Sequence, residues 1–166
     1  MLCPTCGREM ASRLGTHHYI ESGLPNVWLK GVETHSCVCG EEMVGIPRLA
    51  QLNSRIGRDL LTKPFLLNGP EIRFLRKNMG VLAKELAELM AVAPETISRW
   101  ENDKQAIEAS NDRLLRLIYA GRKGLKYAET EASFSGIETR QLPGPDIVIA
   151  AGKLGRDGED GPGCAA

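Results

Sequence analysis

The sequence predicts a mainly α-helical protein: a small β-containing module at the N-terminus, a domain of short helices in the middle, and a flexible C-terminal tail. Three observations carry this. Four of the five cysteines lie in two tight pairs within the first forty residues. Apolar residues then recur at spacings of three and four, interrupted at short intervals, through residues 70–121. Beyond about Gly121 the periodicity stops and glycine and proline rise. The expected boundaries are 1–46 for the metal-binding module, 47–69 for an amphipathic helix and linker, 70–121 for the helical domain and 122–166 for the tail.

What paired cysteines mean depends on the compartment. No charged segment followed by an apolar stretch opens the chain, so no secretory leader is expected. The longest apolar runs, "PFLL" and "IVIAA", fall far short of a membrane span, so no membrane partner is expected. A cytoplasmic location follows, and there paired thiols hold metal more often than disulfides. Lysine plus arginine equals aspartate plus glutamate at 21 each. Overall charge therefore points to no nucleic acid, and any such signal must be local.

Cys3-Pro-Thr-Cys6-Gly has the spacing that turns two thiolates onto one ion, with the glycine allowing the tight turn. Cys37-Val38-Cys39-Gly40 is one residue shorter, a more strained chelate that can still serve a tetrahedral ion. His35 precedes it and can replace Cys37, so a Cys3His set stands beside Cys3, Cys6, Cys37 and Cys39. "VWLKGVE", after the turn signal "GLPN", reads as a strand. A small β-hairpin with so thin a core needs a staple, and the expected cofactor is structural Zn2+. A thioredoxin-like pair would need a βαβ pattern, which is absent. Four thiolates would close the shell, so nearby Glu41 and Glu42 do not argue for a catalytic ion.

In 47–69, Leu49, Leu52, Ile56 and Leu60 form one apolar stripe, with Arg55 and Arg58 between them, ended by Pro64 and "NGP". "PEIRFLRKNMG" starts near Pro70, places Ile72, Leu75 and Met79 on one face and stops at Gly80. "LAKELAELM" carries Leu82, Leu86 and Leu89 on one face, beside the small Ala83 and Ala87. "PETISRWEND" follows a break at "AVA". "SNDRLLRLIYAG" supplies a last helix with Leu114, Leu117 and Ile118 inward and Gly121 closing it. In the tail, "DIVIAAG" reads as a short strand or a sticky patch, and nothing in the sequence decides between them. Cys164 reads as a free thiol.

The string "ELAELMAVAPETISRWE" has the pattern of a helix-turn-helix, with Ala87 small enough for a close crossing and Val92, Ile97 and Trp100 buried. The fold class is then a zinc finger followed by a lambda-repressor-like helix-turn-helix domain and a tail. The N-terminal half of the second helix of such a motif enters the major groove of DNA. Arg99, with its planar fork for guanine, is the expected base reader; Thr96 suits a thymine methyl and Glu95 a cytosine amine. Arg73, Arg76, Lys77, Lys84, Lys104 and Arg113 are candidates for phosphate contacts. Ala91 stands where glycine would relieve strain in the turn, and Ala93 where Ser or Thr would cap. No histidine–carboxylate pair at a useful spacing and no phosphate-cradling glycine loop appears, so no enzyme is expected.

The cysteine spacing followed by "LNGPEIRFLRKNMG…LAKELAELMAVAPETISRWENDKQ" resembles the MqsA family over residues 1–121: antitoxins and regulators with a YgiT-type zinc finger and an Xre/Cro-type helix-turn-helix. The resemblance implies a finger that holds zinc and can bind a toxin. It also implies a helix-turn-helix domain that dimerises and binds a palindrome in its own promoter. In that family an Asn and an Arg four residues apart read bases; Arg99 matches the Arg, while Glu95 stands in place of the Asn. The expected role is a repressor of its own operon, the antitoxin of a toxin–antitoxin pair, with a solitary repressor as the alternative. The expected partners are operator DNA, a toxin and a second copy of the chain. The dimer is expected through 108–121, because apolar residues there exceed the needs of a three-helix core and Leu115 and Tyr119 fall off the inward face.

Overall fold

The computed structural model describes residues 1–46, 48–126 and 136–154. The chain divides into two compact units. The first comprises Met1–Tyr19, Asn26–Leu52 and Asp146–Ala166, and the second Ile20–Pro25 and Asn53–Pro145. Among the described residues no helix is long and apolar enough to cross a membrane.

The first unit is built on a four-stranded sheet. Strands β1 (Ala11–His18) and β2 (Val27–Ser36) pair antiparallel, from Ala11 opposite Ser36 to His18 opposite Trp28. The register shifts between Gly15 and Thr16, where Gly31 at φ +70° is the extra residue of a bulge, a conformation that suits glycine. β2 buries Val27 and Leu29 on alternate positions and, its phase shifted by the extra residue Gly31, then Val32, while Lys30 and Glu33 are exposed. Along the other edge of β2 run two short strands, antiparallel β3 (Glu42–Gly45) and a parallel strand from near the C-terminus.

The second unit contains most of helix α1 (Leu49–Leu61), then α2 (Gly69–Met79), α3 (Ala83–Met90), α4 (Pro94–Glu101) and α5 (Ala109–Arg122). The expected fold class of strands followed by a helix-turn-helix is present. Local chemistry sets the helix ends. Asn68 caps α2, its side chain accepting from the Glu71 amide while Glu71 accepts from the Asn68 amide. Gly80 ends α2 at φ 72°.

Some expected faces are turned. Leu115 and Tyr119 are fully buried, whereas Leu114 and Leu117 are 36% and 43% exposed. The reason is Arg116, which is itself buried and shifts the inward stripe of α5 to Asp112, Leu115, Arg116, Tyr119 and Ala120. Arg116 bonds Asp112 at 2.8 Å and donates to the carbonyls of Leu61, Lys63 and Phe65 at 2.7 to 2.9 Å. A guanidinium with this many acceptors tolerates the interior, where an unpaired one would not. On α3 the buried residues are Leu86, Ala87 and Met90, leaving Leu82 and Leu89 exposed. Leu49 on α1 is also exposed, while Leu52, Ile56 and Leu60 are buried as expected.

The expected tail is corrected for residues 136–154. Strand β4 (Phe65–Leu66) pairs parallel with β5 (Glu138–Gln141), and β6 (Ile147–Ala150) is the parallel strand on β2. The carbonyl of Pro64 accepts from the Glu138 amide at 2.8 Å, and Ile137, Ile147 and Ile149 are buried. Cys164 lies outside the described residues.

Candidate functional site

The two cysteine pairs fold into matching turns. The Gly7 amide donates to the Cys3 carbonyl at 2.9 Å, and Gly40 to Cys37 at 3.0 Å. Both glycines have positive φ, +71° and +93°, so each turn is closed by a residue without a Cβ penalty. Thr5 Oγ1, from the first turn, donates to Glu41 Oε2 beside the second at 3.1 Å. The shorter Cys37–Cys39 spacing therefore still delivers both sulfurs.

The four sulfurs of Cys3, Cys6, Cys37 and Cys39 all lie within 4.8 Å of one another. Cys3 and Cys39 approach to 3.6 Å, and Cys6 and Cys37 to 3.4 Å. A tetrahedral ion with ~2.3 Å bonds to sulfur sets its ligands roughly 3.8 Å apart. The donor set therefore fits one metal ion. His35 is directed elsewhere: Nδ1 lies 2.7 Å from Ser12 Oγ, its cross-strand partner, and Nε2 lies 3.9 Å from Glu33.

Burial raises the Cys3 thiol, but the amides of Cys6 and Thr5 and the neighbouring thiols outweigh it and bring it to about 7. For Cys6 the Arg8 amide pulls down, yet Cys37, burial and the other thiols push the value up to about 12. One thiolate forms readily, and the next are opposed by its charge. A cation removes that opposition, which is why the same four sulfurs suit a metal.

In the second unit α3 and α4 meet at a tight turn. Ala87 is buried at the crossing, and its carbonyl accepts from the Val92 amide at 3.0 Å. Ala91 is at φ 53°, the left-handed turn position, and Ala93 begins α4 with no side-chain cap. Ile97, Trp100 and Glu101 face inward from α4. Glu95, Ser98 and Arg99 are exposed and Thr96 is half-buried; Lys84 and Lys104 are exposed on flanking segments. Among the described residues no hydrogen bond or ion pair occupies the side chains of Lys84, Glu95, Arg99 or Lys104.

Two of the arginines named as candidates for phosphate contacts are bonded within the domain. Arg76 bonds Glu101, and Arg73 Nη2 donates to the Glu101 carbonyl and to Asn102 Oδ1 at 2.8 Å each. Burial of Glu101 draws both guanidiniums to the α2–α4 contact. That contact is close: a Cβ on Gly69 would lie 2.7 Å from the carbonyl oxygens of Trp100 and Glu101. The Gly69 amide donates to Asp103 Oδ1 at 2.6 Å.

A helix-turn-helix family model of Xre/Cro type matches residues 72–117, from α2 into α5. No curated protein and no solved structure matches the chain. The helix-turn-helix domain supports a DNA-binding transcriptional regulator, and the cysteine cluster a metal-binding module.

Proposed function

We propose that the protein is an antitoxin-type repressor of its own operon, acting by binding and not by catalysis. A homodimer reads an inverted repeat through α4, structural Zn2+ holds the N-terminal unit, and that unit binds a toxin. The observation that carries the DNA reading is the outer face of α4, where Arg99 projects free beside Thr96 and Glu95 while Ile97 and Trp100 anchor the helix.

In mechanism, Lys84 and Lys104 take phosphates and set the register, while Arg99 presents two donors to guanine O6 and N7. Glu95 accepts from a cytosine amine and repels the acceptor edges of other bases, so the operator differs from one read by Asn. A single helix reads too few base pairs to select a site, which favours a two-fold dimer with half-sites one turn, ~34 Å, apart. The exposed Leu114 and Leu117 on α5 suit that pairing. Bound Zn2+ supplies charge neutralisation and a crosslink; Cys3, Cys6, Cys37 and Cys39 orient it.

The test is binding of the full-length protein to its own upstream DNA, with Arg99→Ala and Lys84→Ala compared. Arg99→Ala is expected to lose specific binding and keep non-specific binding. Lys84→Ala is expected to weaken both and lower the salt slope by about one. Equal loss in both variants on both DNAs would remove Arg99 as a base reader. Light scattering reports the dimer, and co-purification with the product of a neighbouring small gene reports the toxin.

A further inference from the structure

The second edge of β2 is filled by two short strands laid end to end. β3 covers Glu33–Ser36 and runs straight out of the second cysteine turn. β6 covers Val27–Lys30 and arrives only after the whole helix-turn-helix domain has been traced. Between them a cavity of about 460 Å³ remains, lined by Gly31, Val32, Gly45, Ile46, Ala151 and Gly152 among others. The edge is thus assembled from separate pieces, one of them remote in sequence.

β6 has the pattern of a strand seated in a slot. Ile147 and Ile149 are buried and Val148 between them is exposed. The Ile147 amide donates to the Asn26 carbonyl at 2.8 Å. At the far end Leu154 is buried and its carbonyl accepts from Arg48 at 2.5 Å. Among the described residues β6 has one neighbouring strand, so its departure breaks one short ladder together with the Asn26 and Arg48 bonds, and uncovers Ile147, Ile149 and Leu154. The β1–β2–β3 pairing and the cysteine turns contain none of its hydrogen bonds. Such segments open locally ahead of the rest of a domain.

We propose that the Val27–Lys30 edge is a binding slot for an extended segment of pattern apolar-x-apolar, filled in cis by residues 146–154, and that it accepts the same segment in trans once β6 is withdrawn. Backbone pairing along β2 supplies attachment, and the two inward isoleucines supply selectivity.

The test uses the full-length chain and a labelled peptide of sequence PDIVIAAGKL. Ile147→Asp with Ile149→Asp places carboxylates in buried positions and expels β6. That variant is expected to bind the peptide at least about tenfold more tightly than the unaltered chain, whose slot is occupied. Val148→Asp faces outward and is expected to behave as the unaltered chain. A double variant that keeps its circular dichroism but takes no peptide, or an unaltered chain that binds equally well, overturns the proposal. Should the double variant not fold, hydrogen exchange on the unaltered chain decides. Amides of β6 exchanging ahead of the β1–β2 ladder support the slot, and equal protection overturns it.

Discussion

Arg76 grips Glu101 with two nitrogens: Nε lies 2.5 Å from Oε1, and Nη2 3.0 Å from Oε2. The side chains are 14% and 7% exposed, so this pair is shielded from solvent and salt. It fixes α2 against the C-terminal end of α4, and so helps set the angle at which the face bearing Arg99 is offered. Glu101→Ala would leave the guanidinium with the Val81 carbonyl, 3.1 Å from Nη1, and the little solvent it reaches. The expected cost is about 2–4 kcal/mol, below the full value for a buried pair because part of Arg76 stays hydrated. Urea unfolding measures it; a change under about 0.5 kcal/mol would show the pair to be idle.

The metal centre makes a sharper comparison. Cys37→Ser removes one of four converging sulfurs, whereas His35→Ala removes a ring engaged with Ser12. Purified Cys37→Ser protein is expected to lose most of its metal and the thermal stability of the sheet, and His35→Ala to keep both. Elemental analysis under reductant checks it. Metal-free unaltered protein would defeat the reading, as would His35→Ala protein that had lost the ion.

Ala91 holds a left-handed backbone at φ 53°, which glycine adopts without a Cβ clash. Ala91→Gly is therefore expected to raise stability by roughly 0.5–1 kcal/mol, the relief of strain exceeding the added entropy of the unfolded chain. Ala93→Ser supplies the missing cap of α4 and is expected to add about 1 kcal/mol. Denaturant midpoints test each change, and a lowered midpoint in either would contradict it.

Tyr119 gives a pH signature. Burial raises its hydroxyl to about 12, against the lowering effect of Arg58, and the hydroxyl donates to Asn78 Oδ1 at 2.9 Å. Between pH 10 and 12 the unfolded chain has released this proton while the folded one keeps it. Stability that is whole below pH 10 therefore falls as pH rises through that window, by up to about 2 kcal/mol. Tyr119→Phe is expected to flatten that part of the alkaline profile. An unchanged slope would assign it to other groups.

Much of the site was readable because its signals are local. A thiol pair separated by one or two residues can meet only through a tight turn, and Gly7 and Gly40 mark both turns. The turn between α3 and α4 depends on neighbours within a few positions, so Ala87, Ile97 and Trp100 fell to the inside as their spacing required. The sequence alone thus determined the two cysteine turns, the helix-turn-helix and the outward position of Arg99.

What it left open depended on distant partners. An arginine in an amphipathic helix reads as solvent-facing, and only the carbonyls at the end of α1 and the start of β4 make Arg116 an interior residue. The same holds for Arg76, whose carboxylate partner lies on another helix. "DIVIAAG" gave no clue to its place, because a parallel strand needs a long connection and its register is written in β2. Turn and helix energetics are decided within about one turn of chain, whereas burial of charge and strand pairing are decided by whatever the fold brings alongside.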